Sequence, residues 1–169
     1  MNRTVATDET KLTQADVQKL FQDAGLKMTN QRIAVYREIL RDAARQFHPT
    51  AEQVYEGVRG HLPAISLNTV YRALTSLAEK GLVKRLSNFT SSDIYDGLLT
   101  DHWHFICTRC GSIQDIFVES GNFPEISKVA GSIEEVVVQF RGVCHECGNR
   151  EKSRTPSPSA GFQGVLGDQ

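Results

Sequence analysis

Residues 66–96 read SLNTVYRALTSLAEKGLVKRLSNFTSSDIYD and join a helical pattern to a hairpin pattern. Ser66 is a good helix N-cap, apolar residues recur every three or four positions from Val70 onward, and Gly81 is typical of a helix end. Beyond Gly81, apolar positions flank a polar turn at residues 87–92. The stretch therefore predicts a helix followed by an antiparallel β-hairpin.

Three further helices are predicted upstream of this stretch. Each follows a threonine that can cap a helix N-terminus, at Thr13, Thr29 and Thr50. Asp16 and Gln53 stand three positions after the first and third of these threonines, which completes two capping boxes. Several short helices followed by a hairpin are typical of a winged-helix domain, in which the last helix enters the DNA major groove. We therefore predict an α+β protein that begins with a winged-helix DNA-binding domain.

Charge is divided unevenly along the chain, although the formal net charge is only −1. Residues 1–90 contain 13 Lys/Arg against 9 Asp/Glu, whereas residues 91–169 contain 6 against 11. A basic half that includes the fourth helix favours contact with DNA phosphates, although a solvated helix face without a partner would carry the same polar residues. On the first interpretation, the DNA-binding side chains are Asn68, Thr69, Tyr71 and Arg72.

The pattern changes near residue 102 and predicts a small α/β unit. The expected elements are two strands, a short helix and a third strand, at 102–107, 111–118, 122–131 and 132–144. Apolar periodicity breaks between Gly97 and Asp101, which places a hinge there. The residues after Arg150 are rich in Ser, Pro and Gly, so we expect a disordered tail. The predicted domains are 1–97 and 98–150, with the tail at 151–169.

The N-terminal residues contain no apolar leader, and no run approaches the roughly 18 apolar residues that a membrane helix requires. We therefore expect a cytoplasmic protein without a membrane partner. Because the cytoplasm keeps thiols reduced, the four cysteines of the chain favour metal binding or redox chemistry over structural disulfides.

The cysteines form two Cys-x-x-Cys pairs, Cys107 with Cys110 and Cys144 with Cys147, separated by 33 residues. Four thiolates satisfy a tetrahedral Zn²⁺ and leave no open coordination position, which indicates a structural site. The alternative is a redox pair of the thioredoxin kind, but neither pair stands at the start of a helix in a βαβ unit.

A second group of possible ligands precedes the first cysteine pair. Side chains alternate along a strand, so His102 and His104 lie on one face and can bind one ion together. Asp96, Asp101 and Asp115 are close enough in sequence to contribute carboxylates. Imidazoles with carboxylates suit iron, manganese or zinc.

These motifs together carry a resemblance. The segment His48-Pro49-Thr50-Ala51, the helix from Ser66 to Arg72, and DHWHFICTRCG at 101–111 closed by Cys144-x-x-Cys147 resemble the ferric uptake regulator family over about residues 13–150. Its peroxide-sensing branch, PerR, is the most similar, because Asp stands at positions 96 and 115. The resemblance implies homodimeric, metal-dependent transcriptional repressors that bind double-stranded operator DNA, with residues 98–150 as the α/β dimerisation domain.

The resemblance also implies the sites and their metals. The regulatory Fe²⁺ or Mn²⁺ ligands would be His48, Asp96, His102, His104 and Asp115, with Asp93 as a rival to Asp96, and the four cysteines would bind structural zinc. In the peroxide-sensing branch, iron and peroxide oxidise a ligand histidine, here His48 or His102. The alternatives are an iron or manganese uptake regulator without histidine oxidation, or a thiol-based zinc redox switch.

The motif of a zinc-dependent deaminase is absent from the sequence. A zinc deaminase would need His-x-Glu and Pro-Cys-x-x-Cys, whereas here His104 is followed by Phe105-Ile106 and Cys107 is preceded by Ile106. We therefore expect a DNA-binding protein that has no small-molecule substrate.

Overall fold

The computed structural model describes residues 12–87, 91–118 and 136–152. The helices within these ranges are α1 (Gln14–Asp23), α2 (Asn30–Ala43), α3 (Ala51–Arg59), α4 (Leu67–Glu79) and α5 (His145–Lys152). The strands are β1 (Lys84–Leu86), β2 (Ile94–Asp96), β3 (Trp103–Cys107), β4 (Ile113–Ile116) and β5 (Gln139–Gly142). The predicted α+β class is confirmed by this content and by the similarity to solved structures given below.

Helices α1 to α4 begin where their capping residues predict. Thr13 and Thr50 form complete capping boxes with Asp16 and Gln53, and the hydroxyl of Thr29 accepts from the N–H of Arg32. The four helices pack their apolar faces into one core. Its fully buried residues include Val17, Phe21, Val35, Ile39, Val54, Val58, Val70, Leu74 and Leu77.

Helix α4 is followed directly by the predicted hairpin, the wing of the winged-helix prediction. Gly81 has φ +67°, a left-handed conformation that favours glycine and that ends the helix. Strands β1 and β2 pair antiparallel, with Leu86 opposite Ile94. The hairpin therefore returns the chain to the helical core.

Two close contacts hold the end of the hairpin against neighbouring elements. The Tyr95 N–H donates to the Pro49 carbonyl at 2.9 Å. A Cβ at Gly97, directly after β2, would lie 2.9 Å from Ile39 Cγ2 on α2, so only glycine allows this approach. The contact with Pro49 places His48 beside the end of β2.

The second sheet has the strand order β4-β3-β5. Strand β3 pairs antiparallel with β4 and parallel with β5. The predicted helix at 122–131 and the first residues of the predicted strand at 132–144 lie outside the described residues, as does 153–169 of the predicted tail. None of the helices in the described ranges is long and apolar enough to cross a bilayer.

Helix α5 was not predicted, and it continues two residues past the expected boundary at Arg150. Its sequence, HECGNREK, contains no apolar stripe that would indicate a helix. The Cys144 sulfur instead accepts the N–H of Cys147 at 3.5 Å, three residues on, as an N-cap side chain does. A local contact of a cysteine thus replaces the usual capping residue.

Candidate metal centres and DNA-reading face

The four cysteines converge at one end of the three-stranded sheet. Cys107 ends β3, Cys110 lies in the turn before β4, Cys144 precedes α5 and Cys147 lies within α5. Parallel pairing places Cys107 opposite Gly142, which brings the two Cys-x-x-Cys pairs together. The four sulfurs lie within 4.8 Å of one another. All four cysteines are free thiols.

The electrostatics of this cluster suit a cation. N–H groups of Cys110 and Cys144 lower the pKa of the Cys107 thiol to about 6, and the Cys144 N–H lies 3.3 Å from that sulfur. The neighbouring Cys144 thiol raises the pKa of Cys147 to about 12. Crowded thiols cannot all ionise without a positive charge between them, because each thiolate disfavours the next. A divalent ion at the centre would supply that charge.

A second cluster lies between the winged helix and the sheet. Its members are His48 in the loop before α3, Asp96 at the end of β2, His102 directly before β3, His104 on β3 and Asp115 on β4. The register places Asp115 directly opposite His104. Every side chain in the cluster is at most 5% exposed. The ligand atoms of His48, Asp96, His102 and His104 all lie within 4.8 Å of one another, and Asp115 is buried beside them.

The distances show how closely these ligand atoms converge. Asp115 Oδ1 lies 3.1 Å from His48 Nε2, 3.7 Å from His102 Nε2 and 3.8 Å from His104 Nε2. Asp96 Oδ2 lies 3.1 Å from His102 Nε2 and 3.9 Å from His104 Nε2. Both carboxylates thus face the imidazole nitrogens across the same small space.

Hydrogen bonding within the cluster is incomplete. Asp96 Oδ2, Asp115 Oδ1 and His48 Nδ1 are buried and make no hydrogen bond. His102 Nδ1 lies 2.8 Å from the Thr100 carbonyl, so donation from Nδ1 leaves the Nε2 lone pair facing the cluster. Unsatisfied buried acceptors are costly. Since a cation would satisfy the two carboxylate oxygens, these residues fit a bound metal ion.

The protonation states of the cluster also favour a cation. Burial raises the pKa of Asp96, but the adjacent His102 imidazole and the Leu98 N–H lower it more, so the carboxyl remains ionised. Burial and the nearby imidazoles of His102 and His48 lower the pKa of His104 to about 4. Burial lowers the pKa of His102, but Asp96 raises it more, so the net shift is upward. A bound metal would compete with that proton.

The structure brings Asp96, but neither Asp93 nor Asp101, into the cluster. Asp93 pairs with Arg85 on the hairpin, away from the histidines, and Asp96 occupies the cluster. Asp101 is exposed and takes no part in it. Sequence reasoning missed the Thr100 carbonyl that orients His102, because every residue has a backbone carbonyl and its role cannot be inferred from the residue type.

Helix α4 presents the predicted DNA-binding residues. Val70 and Leu74 face the core, whereas Asn68, Tyr71 and Arg72 are exposed. Thr69 is only partly exposed, and its hydroxyl lies 2.8 Å from that of the N-cap Ser66. Three of the four predicted side chains therefore form the outward face, and Thr69 contributes to the cap.

A winged helix joined to a sheet, with two clusters of metal-binding side chains, defines a metal-responsive transcriptional regulator. The family model described as "Ferric uptake regulator family" matches residues 23–136. The Peroxide operon regulator of Bacillus subtilis (strain 168) is 33% identical over 134 residues, which cover 76% of this chain and 89% of that relative. The chain belongs to the ferric uptake regulator family.

Two solved structures have the same fold. The Campylobacter jejuni peroxide stress regulator has a TM-score of 0.59 at 26% identity, covering 80% of this chain and 100% of that one. The Vibrio cholerae ferric uptake regulator has a TM-score of 0.61 at 25% identity, covering 76% of this chain and 100% of that one. The fold and the family prediction are thereby confirmed.

Proposed function

We propose that the chain is a cytoplasmic, metal-dependent repressor that binds double-stranded operator DNA as a homodimer. The observation that carries the proposal is the approach of His48, beside α3, to Asp115 on β4, at 3.1 Å. One cation bound there would contact the winged helix and the sheet together. This role requires binding alone, without catalysis or a small-molecule substrate.

The coupling between metal and DNA follows from where the ligands lie. We assign 1–97 to the DNA-binding domain and 98–150 to the dimerisation domain, so His48 and Asp96 belong to the first and the other three ligands to the second. An ion that binds both domains stabilises the arrangement in which their ligands converge. If only that arrangement presents α4 correctly to DNA, bound metal increases the affinity for DNA. By linkage, bound DNA then increases the affinity for metal by the same factor.

The two clusters suit different ions. We assign structural Zn²⁺ to the four cysteines, because four thiolates close a tetrahedral site. We assign Fe²⁺ or Mn²⁺ to His48, Asp96, His102, His104 and Asp115, because imidazole and carboxylate donors suit these metals. The two buried carboxylate oxygens without hydrogen bonds, Asp96 Oδ2 and Asp115 Oδ1, support the second assignment.

Peroxide sensing is the finer part of the proposal. The similarity to a Peroxide operon regulator and to a peroxide stress regulator supports it. His48 lines a cleft of about 430 Å³ together with Phe47 and Ile113, and none of the other four proposed ligands lines that cleft. With ferrous iron bound, cleavage of the peroxide O–O bond would insert one oxygen atom into a ring C–H bond of a ligand histidine and leave the other oxygen as water. This cleft offers peroxide from solution an approach to the His48 side of the site.

The test of peroxide sensing is a mass-spectrometric map of oxidised residues. The protein, with zinc retained, is loaded with ferrous iron without oxygen and treated with a few equivalents of hydrogen peroxide. We expect peptides containing His48 or His102 to gain the mass of one oxygen atom, while the manganese-loaded protein, as control, remains unmodified. His61, which is exposed on the same domain, is the internal control for unselective oxidation.

Two other outcomes distinguish the alternatives. Oxidation confined to the four cysteines, with release of zinc, would replace the proposal with a thiol-based redox switch. Metal-dependent DNA binding without selective oxidation of any residue would favour the alternative that the protein is an iron or manganese uptake regulator.

A further inference from the structure

Tyr71 differs from its neighbours on the outward face of α4 because its side chain is tied to another helix. Tyr71 is 41% exposed, yet its hydroxyl donates a hydrogen bond to a carboxylate oxygen of Glu52 on α3. Glu52 belongs to none of the metal clusters and has no place in the function proposed so far. The contact joins an acidic side chain to the face that would meet DNA.

The position of Glu52 is set by its own helix. Glu52 lies in the first turn of α3, directly after the capping box of Thr50 and Gln53. A negative charge in the first turn is stabilised by the unpaired N–H groups and the helix dipole. The hydrogen bond from Tyr71 is the largest cause that lowers the pKa of Glu52, so this carboxyl is ionised at neutral pH and can only accept.

The distance between the two helices is also fixed. Val54 and Val58 of α3 and Val70 and Leu74 of α4 are at most 1% exposed and belong to one core cluster. Close-packed helices move little relative to each other. The carboxylate is therefore a stable anchor for the Tyr71 hydroxyl.

Anchoring changes what Tyr71 can contribute to recognition. An exposed side chain normally loses rotamer freedom when it is immobilised in a complex, and this loss weakens binding. A ring that is already oriented in the free protein loses much less rotamer freedom when DNA binds.

We propose that Glu52 is a positioning residue for DNA recognition, whose carboxylate orients the Tyr71 ring on the outward face of α4. The inference rests on the proposed DNA-binding function. Glu52 acts through Tyr71, so its effect should be confined to the base pairs that Tyr71 meets. A purely structural role at the start of α3 would instead change all DNA contacts together.

The test begins with DNA selected by the protein itself. The zinc- and Mn²⁺-loaded wild-type protein is used to enrich duplexes from a random-sequence pool. Affinities are then measured by fluorescence anisotropy for the enriched duplex and for a series of single base-pair substitutions in it. The variants are E52A, E52Q, Y71F and E52A/Y71F, with E56A as the control for loss of one negative charge from α3.

We expect E52A and Y71F to reduce discrimination at the same base-pair position of each half-site by about three- to tenfold, the range for immobilising one side chain. The double variant should lose no more than either single variant, because both remove the same contact. E52Q keeps an acceptor oxygen and should behave as wild type, as should E56A. Thermal unfolding of each variant reports any change in stability separately.

Three results would overturn the inference. The first is a uniform loss of affinity at every position with E52A, and the second is additive losses in the double variant. The third is unchanged discrimination in both E52A and Y71F. If instead the wild-type protein enriches no duplex with Mn²⁺ bound, the proposed DNA-binding function fails first, and the inference fails with it.

Discussion

The two metal-binding clusters differ in how the chain brings their ligands together. The four cysteines lie at one end of the three-stranded sheet and in the helix beside it, and backbone N–H groups, among them those of Cys144 and Cys147, donate to their sulfurs. The His/Asp cluster draws on a loop before α3, the end of the hairpin and two strands of the sheet. A cluster within one unit stabilises that unit, whereas a cluster between two units depends on their arrangement.

The clusters also differ in how completely their polar atoms are satisfied. The thiols contact one another and backbone N–H groups, so part of their charge is already balanced. In the His/Asp cluster, two carboxylate oxygens and one imidazole nitrogen make no hydrogen bond. A permanently bound ion suits the first cluster, and an ion that binds and leaves suits the second, because its release changes contacts between two units.

The largest expected effect is that of Cys107→Ser. Loss of one thiolate should release zinc and lower the free energy of unfolding by more than about 4 kcal/mol, because a structural metal contributes directly to folding. Zinc content and denaturant unfolding measure both quantities. Thr108→Ser, in the same turn and with its hydroxyl retained, is the matched control. A stable, zinc-containing Cys107→Ser variant would remove the structural role from this cluster.

His102→Ala should have a smaller effect on stability and a large one on regulation. We expect it to weaken Mn²⁺ binding by more than about 100-fold, since it removes a ligand as well as its orienting contact to Thr100. Metal-dependent DNA binding should be lost, while the dimer and its zinc remain. Calorimetric titration with Mn²⁺ and zinc analysis test this, with His61→Ala as control. Loss of zinc from His102→Ala would mean that the ligands are divided wrongly between the clusters.

The smallest expected effect concerns a buried acid outside both clusters. Burial, with the nearby Glu38 carboxylate, raises the pKa of Asp42 from 3.8 to about 6. Between about pH 4 and pH 6 the folded state keeps a proton that the unfolded state has lost, so the free energy of unfolding falls as pH rises through this window. In Asp42→Asn, the fall in the free energy of unfolding across this pH window should be smaller by on the order of 1 kcal/mol.

Unfolding curves across this pH range, recorded with excess zinc and Mn²⁺, check the expectation. A slope that is unchanged in Asp42→Asn would assign the pH dependence to the ligands of the two clusters instead. The comparison then separates titration of the helical core from titration of the metal sites.

Local signals in the sequence predicted the first four helices and the hairpin well. Thr13, Thr29, Thr50 and Ser66 each cap the helix that follows, because capping requires only a side-chain oxygen and an N–H three residues on. Helix α5 gave no such signal, since a cysteine sulfur occupies the capping position. The spacing of the cysteines likewise predicted their cluster, because each Cys-x-x-Cys pair can direct two thiolates to one tetrahedral ion.

What the sequence by itself determined is therefore the set of elements and the chemistry of each candidate ligand. Only the tertiary structure placed Asp93 beside Arg85 and Asp96 among the histidines, through the pairing of β1 with β2. It likewise brought His48 within 3.1 Å of Asp115, 67 positions away in the chain. Such contacts depend on strand register and on helix packing, which no short stretch of residues contains.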